Sequence, residues 1–194
     1  MSNTGEMTPS SPKDHAPTWR RAFIALWPDA ASRHALAIAR PPTAPGVRPL
    51  HPLDLHLTLA FLGDLDRCQA EMLTHALRGH APTAVDLQAT QTALWPDSRR
   101  PKVHVLEFAI TPLLSGLHQS VQDAVCAAAL PVEDRPYRPH VTLARLGRAA
   151  ALPSMATPAT ARFPRLALCH GVDAPAGEPR YRLIADWSAD WSAD

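Results

Sequence analysis

The chain has 194 residues, 46% of them apolar and 19% charged, with a formal net charge of +1. That length and balance fit one globular domain, or two small halves of one, and exclude the global positive field that announces a nucleic-acid binder. No run of about 18 apolar residues occurs, so no membrane span is expected. Cys68, Cys126 and Cys169 are odd in number and far apart, which excludes a disulfide framework and points to a reducing, cytoplasmic compartment.

In chain order, residues 1–18 are rich in Ser, Pro and Thr, lack the apolar stretch of a signal peptide, and read as a disordered arm. Arg20 to Trp27 reads as a buried strand. Asp29 is placed to cap a helix that runs to about Ala39 and stops before Pro41-Pro42. His51 to Leu62 contains a strand, and Asp66 to about Gly79 reads as a helix, with Met72, Leu73, Ala76 and Leu77 at helical spacing. Val85 to Leu94 alternates like a half-exposed strand, Pro96 to Pro101 is a basic turn, and Val103 to Ile110 is a further strand. Pro112 to about Ala129 carries an apolar helical stripe of Leu114, Leu117, Val121, Val125 and Ala128. Tyr137 to Leu146, Phe163 to Cys169 and Arg180 to Trp187 complete the strands. This order predicts an α+β fold of two mainly antiparallel sheets flanking a central cleft, with helices on the outer faces. Residues 19–187 form that domain, and residues 188–194 are a tail in which the sequence WSAD is repeated.

One eight-residue phrase occurs twice: His56 to Gly63 reads HLTLAFLG, and His140 to Gly147 reads HVTLARLG. A strand points residues i and i+2 to the same face. His56 with Thr58, and His140 with Thr142, therefore each present an imidazole beside a hydroxyl. The opposite parity, Leu57, Leu59 and Phe61 in one copy and Val141, Leu143 and Arg145 in the other, is expected to pack away from them. Two such pairs facing one another supply a general acid, a general base and two hydroxyl donors, enough to split a phosphodiester without a metal. No ligand spacing for a metal and no glycine-rich phosphate loop is evident, so neither a metal nor another cofactor is expected.

The two H-x-T copies, the opening strand RAFIALWPD and the phrase RPYRPHVTLARL together resemble the two-histidine phosphoesterase superfamily. Within it, the similarity is to the bacterial RNA 2′,3′-cyclic phosphodiesterases, also described as 2′-5′ RNA ligase-like. The resemblance covers roughly Arg21 to Trp187. It implies a bilobal fold whose motifs face each other across a pseudo-two-fold axis. It also implies RNA or a nucleotide ending in a 2′,3′-cyclic phosphate as substrate, hydrolysed to a 2′-phosphate, with weak 2′-5′ ligation by the same chemistry. His56 and His140 are then the catalytic pair, and Thr58, Thr142 and Arg145 bind phosphate; simple strand alternation turns Arg145 away, and a bulge or strand end near Ala144 would reconcile the two. Tyr137, Phe61 and Arg100 are candidates for RNA contact, the first two by stacking on a base. The family commonly carries a tryptophan in the strand after its basic turn, and this chain has none there. Two other functions fit the same residues: a phosphodiesterase for small cyclic or 2′-5′-linked nucleotides, and a non-catalytic module that binds RNA ends. No membrane contact and no obligate protein partner is implied, and a monomer is expected.

Overall fold

The computed structural model describes residues 18–80, 84–147, 150 and 159–187. All but the last residue of the arm read over 1–18 lies outside the described residues, as does the 188–194 tail. Among the described residues nine strands and three helices follow in the order β1 (Trp19–Trp27), α1 (Ala30–Ile38), β2 (Val47–Pro49), β3 (Leu57–Leu65), α2 (Arg67–Ala76), β4 (Val85–Trp95), β5 (Val103–Phe108), α3 (Pro112–Ala127), β6 (His140–Leu146), β7 (Thr160–Phe163), β8 (Arg165–Gly171) and β9 (Tyr181–Asp186). Each helix begins where the sequence supplies a cap. Asp29 accepts the Ser32 N–H, Asp66 and Gln69 form a reciprocal capping box, and Thr111 accepts from Leu114 ahead of Pro112.

The strands form an α+β architecture around one curved sheet, in the order β7-β4-β5-β6-β3-β1-β8-β9, with β2 paired to β6. The motif strands β3 and β6 lie at its centre, each flanked outward by three more strands, so the two halves echo each other. The expected pair of sheets is thus continuous at the middle. The halves meet antiparallel with Leu57 opposite Val141, while β2 takes over the far end of β6 through Val47↔Leu146 and Pro49↔Ala144. Within His51 to Leu62 a 3-10 turn at Pro52–Asp54 precedes the strand, and β3 starts at Leu57. One local expectation changes: the single strand expected over Phe163 to Cys169 is two, because Pro164 stands between β7 and β8.

The main core lies on the helix side of the sheet, where Ile24, Leu26, Leu57, Leu59, Val141 and Leu143 meet Leu36, Leu73, Leu114 and Val121 from the helices. On the other side a smaller cluster joins Phe23, Ala25, Ala167 and Cys169 to Trp27 and Tyr181. β1 is apolar on both faces, which explains its unbroken run AFIALW. Ile24 is fully buried. Ile24→Ala is expected to lower the unfolding free energy by about 2–5 kcal/mol, read as a shifted urea midpoint at unchanged slope.

Candidate functional site

The register of the central pair decides the site. With Leu57 opposite Val141 in an antiparallel pair, His56 stands across from Thr142, and Thr58 across from His140. All four point to the face opposite Leu57 and Val141, and all four are partly exposed while those two are buried. Sequence parity and structure agree on this group.

Beyond the threonines the alternation breaks in both copies at the same place. In β3, Ala25 pairs Thr58 and Ile24 pairs Ala60, so Leu59 is an extra residue. In β6, Val105 pairs Thr142 and His104 pairs Ala144, so Leu143 is the extra one. Each is a β-bulge, two residues set against one. The bulge shifts the phase of every residue after it, so Phe61 and Arg145, which strict alternation would send to the helix side, come to the His/Thr face, Arg145 through a bulge at the place expected near Ala144. Leu59 with Ala60, and Leu143 with Ala144, are consecutively buried, whereas Phe61 is 52% exposed and Arg145 is also exposed. Both line the same cleft as His56, a space of about 360 Å³ shared with Arg21, Arg180 and Tyr181.

The two imidazoles are held alike. His56 Nδ1 lies 2.7 Å from the Asp54 carbonyl oxygen, and His140 Nδ1 lies 2.7 Å from that of Arg138. A carbonyl only accepts, so Nδ1 carries the hydrogen in both rings and Nε2 is left as the titrating nitrogen.

Their surroundings differ. The His56 ring stacks on Phe23 with centroids 4.7 Å apart, and it packs against Trp27 at 5.0 Å and the edge of Tyr181 at 5.1 Å. Burial, helped by the charges of His140 and Arg145 and opposed by the Asp54 carbonyl bond, pushes its pKa down to about 4. His140 packs on Trp95 at 4.3 Å and pairs across the sheet with Glu107. Burial lowers its pKa as well, but the Arg138 carbonyl and the Glu107 charge pull in the opposite direction, and the Arg138 cation adds a lowering effect. Burial works to raise the Glu107 carboxyl. Donors from Gln91 (2.8 Å), Trp95 (2.9 Å) and Arg138 (2.5 Å) outweigh it and keep the group below the usual carboxylate range. The Arg138 guanidinium also caps the Trp95 ring at 4.2 Å.

Tyr137 and Arg100 do not join the cleft lining. Tyr137 turns toward the core: its ring stacks on His118 at 3.9 Å and its hydroxyl donates to the Thr58 carbonyl at 3.4 Å. It braces β3 from beneath. Arg100 belongs to a separate depression in the 97–100 turn, where Asp97 accepts its backbone N–H. The tryptophan missing from the strand after the turn has a counterpart before it, since Trp95 ends β4 and supports His140. Sequence reading alone did not single out Arg21, Phe23, Trp27, Trp95, Glu107, Arg180 or Tyr181. Only the polar Glu107 within the apolar run Val103 to Phe108 carried a signal. Among the described residues, no three His, Cys, Asp or Glu side chains gather as metal ligands, and no helix is long and apolar enough to cross a membrane.

A repeated fold that brings one imidazole and one hydroxyl from each half to a common face, with arginine beside them, is the arrangement of a protein that handles phosphate esters. Comparison with known proteins agrees. The family model described as LigT like Phosphoesterase matches residues 26–105 and 108–168, and the chain belongs to that family. The RNA 2′,3′-cyclic phosphodiesterase of Thermus thermophilus is 32% identical over 138 residues, covering 64% of this chain and 68% of the relative. The Bacillus subtilis protein of the same name is 38% identical over 99 residues, 50% of this chain. That match spans about half of the Bacillus protein's length, 54%. Among solved structures, one from Thermus thermophilus superposes with a TM-score of 0.67 at 27% identity, covering 87% of this chain and 97% of the other. Escherichia coli LigT complexed with 3′-AMP has the same fold, with a TM-score of 0.68 at 24% identity over 88% of this chain and 98% of that one.

The environment of His56 sets a pH dependence. The unfolded chain takes up a proton near 6.5, whereas the folded ring resists until about 4. In that window the unfolded state binds more protons, so stability falls as pH drops from 6.5 towards 4, by on the order of 2 kcal/mol. Urea unfolding at a series of pH values is expected to show this slope, and His56→Asn to flatten it. In ring-proton NMR titrations, Glu107→Gln is expected to lower the His140 pKa by removing a neighbouring negative charge.

Proposed function

We propose that this chain is a metal-independent phosphodiesterase that opens RNA 2′,3′-cyclic phosphate ends to 2′-phosphates, with His56 and His140 as its acid–base pair. The observation that carries the reading is the matched pair of Nδ1-to-carbonyl bonds at 2.7 Å, which leaves both Nε2 atoms to exchange protons at the face that Thr58 and Thr142 share. Membership of the LigT-like family, and relatives named for this activity, point the same way.

In the proposed step, one neutral imidazole takes a proton from water as its oxygen forms a bond to phosphorus. The bond from phosphorus to O3′ breaks, and the other ring, as imidazolium, gives its Nε2 proton to that oxygen. In-line displacement needs the two groups on opposite sides of phosphorus, and two diagonally placed residues on neighbouring strands suit it. The Thr58 and Thr142 hydroxyls donate to the non-bridging oxygens, where negative charge builds up, and the Arg145 guanidinium offsets that charge. Phe61, raised to the same face by the β3 bulge, offers the terminal base an aromatic surface. A ribose 5′-hydroxyl attacking in place of water gives a 2′-5′ linkage. The three free cysteines accord with a cytoplasmic setting.

The test is an RNA ending in a 2′,3′-cyclic phosphate, incubated with the protein in the presence of a chelator. Turnover to a 2′-phosphate is expected, and His56→Ala or His140→Ala is expected to lower kcat by about 10²–10⁴-fold with a much smaller change in binding. No turnover by the wild-type protein would leave a module that holds RNA ends, and a 3′-phosphate product would reverse the choice of leaving oxygen.

A further inference from the structure

The cleft beside His56 does not end at the imidazole. It continues along β1 to Arg21 and across to Gly171, Val172 and Arg180, a stretch that the proton transfers do not use. At about 3.3 Å per strand residue, Arg21 lies roughly 7 Å along β1 from Phe23, the residue whose ring stacks on His56. That is a gap the sugar of one nucleotide can bridge.

Arg21 is held in place by an unusual set of features. Its φ is 56°, in the left-handed region that side-chain-bearing residues avoid and that clusters at ligand clamps. The conformation arises because β1 carries an extra residue between the pairs Trp19↔Leu65 and Ala22↔Gly63. The Arg21 N–H donates to Asp64 Oδ1 at 3.3 Å. Its side chain lies across Gly171, where an added Cβ would stand 3.0 Å from Nε. One guanidinium nitrogen is 2.9 Å from Asp173 Oδ1, but the Asp173 side chain is 96% exposed. Such a solvent-screened pair is weak and yields readily to a phosphate.

Arg180 lines the same cleft from the segment that leads into β9, where its carbonyl accepts the Val172 N–H at 2.8 Å. Its N–H is shared between Asp54 Oδ1 and Oδ2, each at 3.0 Å, and Asp54 is 3% exposed. Asp54 therefore fixes this wall with its carboxylate and His56 with its carbonyl. Among the described residues, the Arg180 guanidinium has no ion-pair partner.

We propose that Arg21 and Arg180 form a second phosphate subsite, which takes the phosphodiester group on the 5′ side of the terminal nucleotide and so favours polynucleotide ends over isolated nucleoside cyclic phosphates. The proposal rests on the hydrolase reading above. The chemistry fits: a guanidinium presents paired N–H donors to the paired oxygens of a phosphodiester, and two of them at one nucleotide's remove from the histidines select for a chain that continues.

The experiment compares kcat/KM for adenosine 2′,3′-cyclic phosphate with that for the same compound carrying a 5′-phosphate, in the full-length wild type, Arg21→Gln and Arg180→Gln. The 5′-phosphate is expected to raise the wild-type value by about tenfold or more, chiefly through KM. In each variant that ratio is expected to fall to within about twofold of one. A ratio taken within one protein cancels any general loss of activity. Arg180→Gln alone decides the matter if Arg21→Gln fails to fold, because the Arg180 side chain is exposed and the Asp54 bond uses only its backbone. Equal turnover of both compounds by the wild type, or an undiminished ratio in Arg180→Gln, overturns the subsite and leaves the hydrolase reading standing. No turnover of either compound overturns both.

Discussion

The extra leucine in each motif strand governs how this site is assembled. Without it, strict alternation would deliver only His and Thr to the cleft and send the residue five places after each histidine to the far side of the sheet. By setting two residues against one, Leu59 and Leu143 reverse the phase just beyond the threonines. Phe61 and Arg145 then come to the face that His56 and His140 occupy. The leucines stay buried among the helices, so each bulge is anchored by apolar packing as well as by its neighbours in the sheet. The same device at equivalent positions in both halves gives one face of the sheet four kinds of group from two short phrases: imidazole, hydroxyl, aromatic ring and guanidinium.

The halves are alike in backbone and unlike in electrostatics. His56 sits in an aromatic box of Phe23, Trp27 and Tyr181 and faces cations, so its charged form is disfavoured from several sides. His140 has a single tryptophan beneath it and a carboxylate across the sheet, held ionised by three donors. The side chains are what make two equivalent histidines chemically distinct.

Much of this was legible in the residues. The three helices followed from capping residues and apolar spacing, and the four central side chains from the period of a strand. What could not be read lies where tertiary pairing overrides local pattern. Nothing in HLTLAFLG or HVTLARLG announces a bulge, because leucine suits a regular strand and an extra residue equally well. Strict alternation therefore sends Arg145 and Phe61 to the helix side, and only the arginine that the resembling family carries suggested a bulge near Ala144. The brief strand Val47–Pro49 has no propensity of its own and exists because β6 offers it an open edge. Tyr137 looked like a stacking residue and proved to be a brace, because only the fold brings His118 and the Thr58 carbonyl within its reach. Arg21 and Arg180 are far apart in the chain, and no motif joins them.

Each histidine is oriented by a main-chain carbonyl two residues earlier. Every amino acid offers the same carbonyl, so the lock survives replacement of the side chain attached to it. The side chains at positions 54 and 138 are thereby released from orienting the ring, although the Arg138 charge still acts on it. In this chain one has become an acidic clasp on the loop before β9 and the other a basic lid over an indole. The pose of each imidazole and the chemistry of the side chain two residues before it are therefore set separately.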